Sequence, residues 1–245
     1  NPYKDGRLPG FLEQCEALSK ANFPSALGAV LVGPWTIAML MRNPEVMLLD
    51  TFEDPEFIHA LMRFATEYAK RFGDAVIKTR IGLSYSDPTA SCSLVGPDTY
   101  REFIKPYHKE LVDYFKAKKV NVTVHICGTT HQIYEDLLDA GFTTVTIDLD
   151  QQADPKLRVD QLKRLVELAS PRNVVTIGNV DATIFERATK EEMEAEVRRC
   201  IDTAARYSRY VLSTSCELPP RAKPEIVQWF MDAAHDYGRY DRLMG

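Results

Sequence analysis

The sequence predicts an α/β fold of the (β/α)8 TIM-barrel type, and three observations lead there. Short β-branched or apolar runs alternate with long amphipathic segments along the chain, and repeated βα units imply a parallel sheet. No G-x-G-x-x-G or G-x-x-x-x-G-K turn follows any of these runs, so an open nucleotide-binding sheet loses its main support. Polar and reactive residues gather instead at the carboxyl ends of several runs: Tyr85-Ser86-Asp87, His125-Ile126-Cys127, Asp148-Leu149-Asp150, Asn179-Val180-Asp181 and Cys216-Glu217. A barrel builds its site on that rim.

The elements follow in order. Asn1 to Gly6 reads as a loop, without an initiator Met. Strands are expected at Ala29 to Trp35, Gly82 to Ser86, Asn121 to Cys127, Thr144 to Leu149, Asn173 to Gly178 and Tyr210 to Ser215, each followed by a helical pattern. Pro97-Asp98 opens one helix, because proline suits the first helical position. Met193, Val197, Ile201 and Ala204 recur at helical spacing between Lys190 and Ser208, and Thr189 with Glu192 forms a capping-box pattern in front of them. The last helix starts at Pro224-Glu225 and runs to about Tyr237, before Gly238. Six βα units fall short of the eight that close a barrel. The expectation is one barrel domain over residues 1–245, with about two units N-terminal to Asn1 missing.

Composition narrows the function. The chain has 245 residues, with 45% hydrophobic and 27% charged, which is ordinary for a soluble globular domain. Thirty Lys and Arg against thirty-five Asp and Glu leave a net charge of −5, and a general nucleic-acid binder would carry a basic field instead. No apolar run reaches the roughly 18 residues of a membrane span, and the opening segment has no signal-peptide pattern. Five scattered cysteines, an odd count in a chain of this size, point to a reducing cytoplasm and to thiols with chemical work.

The sharpest motif is His125-Ile126-Cys127-Gly128. Residues two apart on a strand share a face, so an imidazole and a thiol project together where the chain turns at glycine. Cys216 ends the last strand, and Pro219-Pro220 soon stop the ladder. One histidine and two cysteines make a catalytic zinc set with an open position. Asp148 is a candidate fourth ligand in the absence of substrate, or a group that orients His125; it shares strand parity with Asp150. Glu217 is a further displaceable ligand. Asp87, Asn179 and Asp181 are candidate substrate contacts, or alternatively loop-fixing and helix-capping groups. Thiolate-rich zinc suits the task of holding a thiol as thiolate, a nucleophile toward an activated methyl group. The reaction class is methyl transfer to sulfur. Cys15 and Cys200 fall on apolar helix faces as packing groups, and Cys92 lies near the rim without a sequence partner. His131 is placed beside the site or at the surface, and His59, His108 and His235 are placed as solvated or packed.

Gly33-Pro34-Trp35-Thr36, Asp87-Pro88-Thr89-Ala90-Ser91, Pro106-Tyr107, His125-Ile126-Cys127-Gly128, Gly178-Asn179-Val180-Asp181 and Cys216-Glu217-Leu218-Pro219-Pro220 occur in this order. Together they resemble the uroporphyrinogen decarboxylase superfamily, from about Ala29 to Tyr240. His-x-Cys with a late Cys is similar to its zinc-dependent branch, the methylcobalamin:coenzyme M methyltransferases and related corrinoid-protein methyltransferases. The resemblance implies a (β/α)8 barrel with His125, Cys127 and Cys216 as zinc ligands. It further implies a corrinoid (cobalamin) protein as partner, docked over the loops after Ser86, Gly128 and Cys216, and a small thiol such as coenzyme M as methyl acceptor. The alternative within the superfamily is a metal-free uroporphyrinogen decarboxylase, which does not use His-x-Cys at this strand. A non-catalytic tetrapyrrole binder is a third reading; as a six-unit piece it would expose unpaired strand edges and the lumen lining.

Overall fold

The computed structural model describes residues 1–21, 27–148, 155–207 and 209–239. It divides into two compact units, Asn1–Ile126 with Glu135–Thr143, and Cys127–Tyr134 with Thr144–Gly245. Among the described residues there are six strands, three in each unit, and within each unit they are parallel and follow chain order, with helical segments in the crossovers.

In the first unit β1 (Gly28–Val32), β2 (Gly82–Ser86) and β3 (Val122–Ile126) pair in parallel, with Val32 opposite Ser86 and Ser86 opposite His125. The run expected to extend β1 to Trp35 turns helical at Pro34. Proline cannot donate to a ladder but fits the first helical position. That device recurs: α2 (Pro34–Arg42), α3 (Pro44–Glu53) and α4 (Pro55–Ile77) all start on proline. Asn43 caps α3 by accepting from Glu45 N at 3.0 Å, and Asp54 caps α4 by accepting from Phe57 N at 3.0 Å. An earlier helix, α1 (Leu8–Lys20), buries Leu12 and Cys15.

Along α4 the buried residues Ile58, Met62, Ala65, Ala69, Gly73 and Val76 repeat at helical spacing. Gly73 lets α4 close on the sheet, since a Cβ there would lie 2.4 Å from the Phe115 ring and 2.6 Å from Tyr85 Oη. Tyr85 Oη donates to Ala69 O at 2.9 Å, which satisfies a buried phenol. Pro97 does open a helix, α5 (Pro97–Thr99), but the helix widens into a π turn over Tyr100–Ile104 before α6 (Lys105–Lys116). Pro106 explains the break: it has no N–H for Glu102 O, and its ring would strike that carbonyl. The segment α7 (Tyr134–Ala140) follows β3.

In the second unit β4 (Thr144–Ile147), β5 (Val175–Ile177) and β6 (Tyr210–Val211) are parallel, with Thr144 opposite Val175 and Thr176 opposite Tyr210. Leu149 and Asp150, expected at the end of the fourth strand, lie outside the described residues. The fifth strand starts later than expected because Asn173 adopts a left-handed conformation (φ 60°) after the turn Ser170–Arg172. The sixth breaks after Val211, and pairing resumes as a bridge between Val180 and Thr214. Helices α8 (Pro155–Ala169), α9 (Lys190–Ala204) and α10 (Pro224–Tyr237) complete this unit. The capping box of α9 is formed: Glu192 N donates to Thr189 Oγ1 at 3.2 Å and Thr189 N to Glu192 Oε2 at 2.8 Å. Met193, Val197, Cys200, Ile201 and Ala204 are its buried face, and the helix stops at Ala204 rather than Ser208. No helix among the described residues is long and apolar enough to cross a membrane.

Candidate metal centre

Burial alternates along β3: Val122, Val124 and Ile126 are buried, Thr123 and His125 half-buried. The period of two carries on to Cys127, also half-buried, so His125 and Cys127 share the less buried face. Gly128 then turns the chain at φ 73°, a conformation that favours glycine. Its N–H donates to Asp148 Oδ2 at 2.8 Å, so the carboxylate that follows β4 pins the turn carrying Cys127.

Cys216 is placed from the other end of the sequence. Val180 N donates to Ser213 O at 3.0 Å and Ser215 N to Val180 O at 2.7 Å, which extends the parallel pairing to the residue before Cys216. Thr214 Oγ1 closes the turn by donating to Cys216 O at 2.7 Å. The Cys127 and Cys216 sulfurs come to 3.9 Å. One ligand atom from each of His125, Cys127 and Cys216 lies within 4.8 Å of the others.

These distances suit a shared ion, and the sulfurs stand well beyond the about 2.05 Å of a disulfide bond. A tetrahedral zinc with bonds of about 2.3 Å to sulfur holds two thiolates about 3.8 Å apart. Electrostatics point the same way. Burial, then the charge and sulfur contact of Cys216, then Asp148 and Glu217, push the Cys127 thiol up to about 12. Two thiolates here carry an electrostatic cost that a divalent cation removes. The donor set and spacing thus fit zinc.

The remaining candidates serve different elements. Asp148 stands outside the His–Cys–Cys group, and its carboxylate accepts from the Gly128 amide. Asp87 is wholly buried, at 0% exposure. Its carboxylate accepts from Trp35 N at 3.2 Å, Thr36 N at 2.7 Å and Thr36 Oγ1 at 2.6 Å, and from His108 Nε2 at 2.9 Å. It therefore caps α2 from across the sheet. A Cβ on Gly33 would lie 2.4 Å from Asp87 Cγ, so glycine is required for that approach. The Asp87 backbone N–H donates to His125 O at 2.8 Å, which ties the end of β2 to the histidine.

Asn179 is buried, and both its carbonyl oxygens accept from Arg199 Nη2 at 3.2 Å. Asp181 caps the turn Ala182–Glu186 through Thr183 N at 2.9 Å, and Arg158 Nη1 donates to it at 3.3 Å. Asp181 also borders a cavity of about 270 Å³ with Arg158, Arg187, Glu192 and Glu196. Glu217 is exposed.

Two residues carry little signal in the sequence. His108 is buried between Asp87 and Tyr100, whose hydroxyl meets its Nδ1 at 3.0 Å; the partners are far apart in the chain. Arg199 gathers Asn179 and Glu196 inside the second unit, and only the Glu196/Arg199 spacing hints at it. Cys200 sits in this polar network rather than in plain packing, and burial raises its thiol to about 11. Cys15 is buried, Cys92 half-buried, His59 bonded to Tyr107 and His235 exposed. His131 Nδ1 and Thr130 Oγ1 are buried with no hydrogen-bond partner among the described residues.

Known proteins share this arrangement of strands. Methylcobamide:CoM methyltransferase MtbA of Methanosarcina acetivorans is 24% identical over 237 residues, covering 95% of this chain and 65% of that protein. A methylated-thiol–coenzyme M methyltransferase of Methanosarcina mazei is 31% identical over 147 residues, covering 58% of this chain and 39% of the relative. A solved structure, a methyltransferase from Methanosarcina mazei, matches with a TM-score of 0.83 at 20% identity, over 97% of this chain and 66% of that one. At that identity the likeness establishes the fold. The chain spans 65% of the length of the first relative, just under two thirds. The family model described as uroporphyrinogen decarboxylase (URO-D) matches residues 1–237, and the chain belongs to that family.

Proposed function

We propose that this protein is a zinc-dependent methyltransferase that moves a methyl group between a corrinoid carried by a partner protein and a small thiol such as coenzyme M. The observation that carries the reading is the pair of sulfurs 3.9 Å apart beside the His125 imidazole. His125, Cys127 and Cys216 would hold the metal. When bound, zinc supplies the acidity that keeps an incoming thiol as its thiolate, the form that attacks a methyl group. The relatives' names, which join methylcobamide or a methylated thiol to coenzyme M, support the same donor and acceptor classes.

The protein's own residues do the holding. Gly128 and Asp148 fix the turn behind Cys127, and the Val180–Ser215 pairing fixes Cys216. Asp87 and Asn179 act from the interior as positioning residues, because their side chains are buried and bonded within the protein. Asp181 is buried as well and caps its own turn, but it also borders the cavity of about 270 Å³, where a ligand could meet it. The fold we propose is an eight-stranded (β/α) barrel of which this chain supplies six units.

Metal analysis tests the reading, combined with loss of methylcobalamin absorbance on adding coenzyme M. About one zinc per chain is expected in the wild type and far less in Cys127→Ala and Cys216→Ala, with methyl transfer lost in both. Transfer by metal-free protein, or unchanged zinc in both variants, overturns it. Turnover of uroporphyrinogen that survives loss of both cysteines would establish the decarboxylase alternative.

A further inference from the structure

One buried constellation of the first unit lies outside the metal centre. Tyr100 Oη stands 3.0 Å from His108 Nδ1, and His108 Nε2 stands 2.9 Å from Asp87 Oδ2. All three residues are buried, at 0%, 1% and 0% exposure. Burial, then the charge of Asp87, pushes the Tyr100 phenol well above its usual range, so it remains a donor. The Asp87 carboxylate accepts from Nε2–H, and Nδ1 accepts from the phenol. Neither end reaches solvent, so the chain of bonds cannot pass a proton to a substrate; its work is to hold. The π turn over Tyr100–Ile104 builds it. Residues eight apart on an unbroken α-helix point about 80° apart around the axis. The extra residue of the π turn removes most of that angle and brings Tyr100 and His108 to one face.

What these bonds hold is the end of β2. The Asp87 carboxylate takes three bonds from the start of α2 and one from His108 on α6. The residues after it are tied down as well, since Trp35 Nε1 donates to Thr89 O at 3.1 Å. With its side chain clamped between two helices, Asp87 has a fixed main chain, and its N–H donates to His125 O at 2.8 Å. We propose that His108 is a positioning residue for the metal: it fixes Asp87 from α6, and through the Asp87 amide it sets where the His125 imidazole stands. This rests on His125 being a zinc ligand. A site needs its ligands held within about 0.5 Å, and groups that orient ligands from behind are typically worth about 10–100-fold in affinity. His108 acts through a main-chain bond rather than on the ring itself, so the lower end of that range applies.

Two measurements on the whole chain test the proposal, and neither reads turnover: zinc affinity by chelator competition, and the visible absorption of cobalt(II) bound in place of zinc. The wild type is expected to bind both metals. His108→Leu should bind zinc about tenfold more weakly and shift the cobalt band. His108→Gln, which keeps an N–H toward Asp87, should restore most of both. Tyr100→Phe removes one hydroxyl and should shift the band in the same direction; it carries the test if the leucine variant does not fold. Met62→Ala, at a buried residue of α4 outside this chain of bonds, should lower the urea midpoint and leave both metal readouts unmoved. The proposal is overturned if the wild type binds metal and His108→Leu, or Tyr100→Phe in its place, matches it in both readouts. An equal loss in Met62→Ala overturns it too. A wild type that binds neither metal overturns the zinc assignment itself, and the role of His108 falls with it.

Discussion

Removing the Asp87 carboxylate would strip the acceptor from four groups in the first unit: the Trp35 and Thr36 amides, the Thr36 hydroxyl and His108 Nε2. None of this region is open to water at Asp87 itself, so solvent cannot replace the lost bonds. Each buried donor left unpaired costs about 1–3 kcal/mol, and losing a helix cap costs about 0.5–2 kcal/mol within that sum. Some relaxation is certain, because Thr36 Oγ1 also lies 2.8 Å from Thr89 Oγ1 and retains that partner. Asp87→Ala should therefore cost about 3–5 kcal/mol, a large share of the 5–15 kcal/mol typical of a domain. Asp87→Asn keeps the oxygen that faces Thr36 and changes only the group facing Trp35 N and His108, so about 1–2 kcal/mol is expected. Urea unfolding of both variants, with slopes compared to confirm an unchanged transition, measures the difference. The reasoning is refuted if alanine costs under about 1 kcal/mol, or if asparagine is the worse of the two.

Three further outcomes follow from other contacts. Gly73→Ala drives a Cβ into the Phe115 ring and Tyr85 Oη, which should cost about 1–3 kcal/mol and lower the melting temperature by several degrees in differential scanning calorimetry. Burial works against the Asp136 carboxylate, but hydrogen bonds from Lys105 and Arg101 hold it below the usual range. Its folded value lies under its unfolded value, so its contribution is present above about pH 4 and fades as pH falls through the folded value; Asp136→Asn should flatten that part of the urea midpoint–pH curve. Arg199→Met removes the donor to both Asn179 oxygens and leaves Glu196 without its guanidinium, and a loss of about 2–4 kcal/mol in urea unfolding is expected.

What the sequence made legible was mostly local. Thr189 with Glu192, and Pro224 at the start of the last helix, mark their boundaries through local geometry within a few residues. His125 and Cys127 could be placed on one face because a strand alternates with period two. The approach of Cys216, 89 residues further on, followed only from two strands ending at the same rim. Asp87 shows where that reasoning stops. A carboxylate at a strand end serves equally as ligand or cap, and the helix it caps begins more than fifty residues earlier in the chain. The same contact explains why Trp35 was expected in a strand: a distant acceptor draws Trp35 and Thr36 into the first turn of α2. Asn179 is hidden for a similar reason, since its partner Arg199 arrives from the next helix.

The three prolines that begin α2, α3 and α4 have a consequence for how the outer faces of these helices can change over generations. Each ring sets the starting point of its helix from the backbone, whatever side chains point outward two turns later. Leu40, Leu49 and Phe52 are thus free to be exchanged while the helices keep their phase and the interior keeps its fit. Substitution there repaints the outside of the first unit and leaves its framework standing.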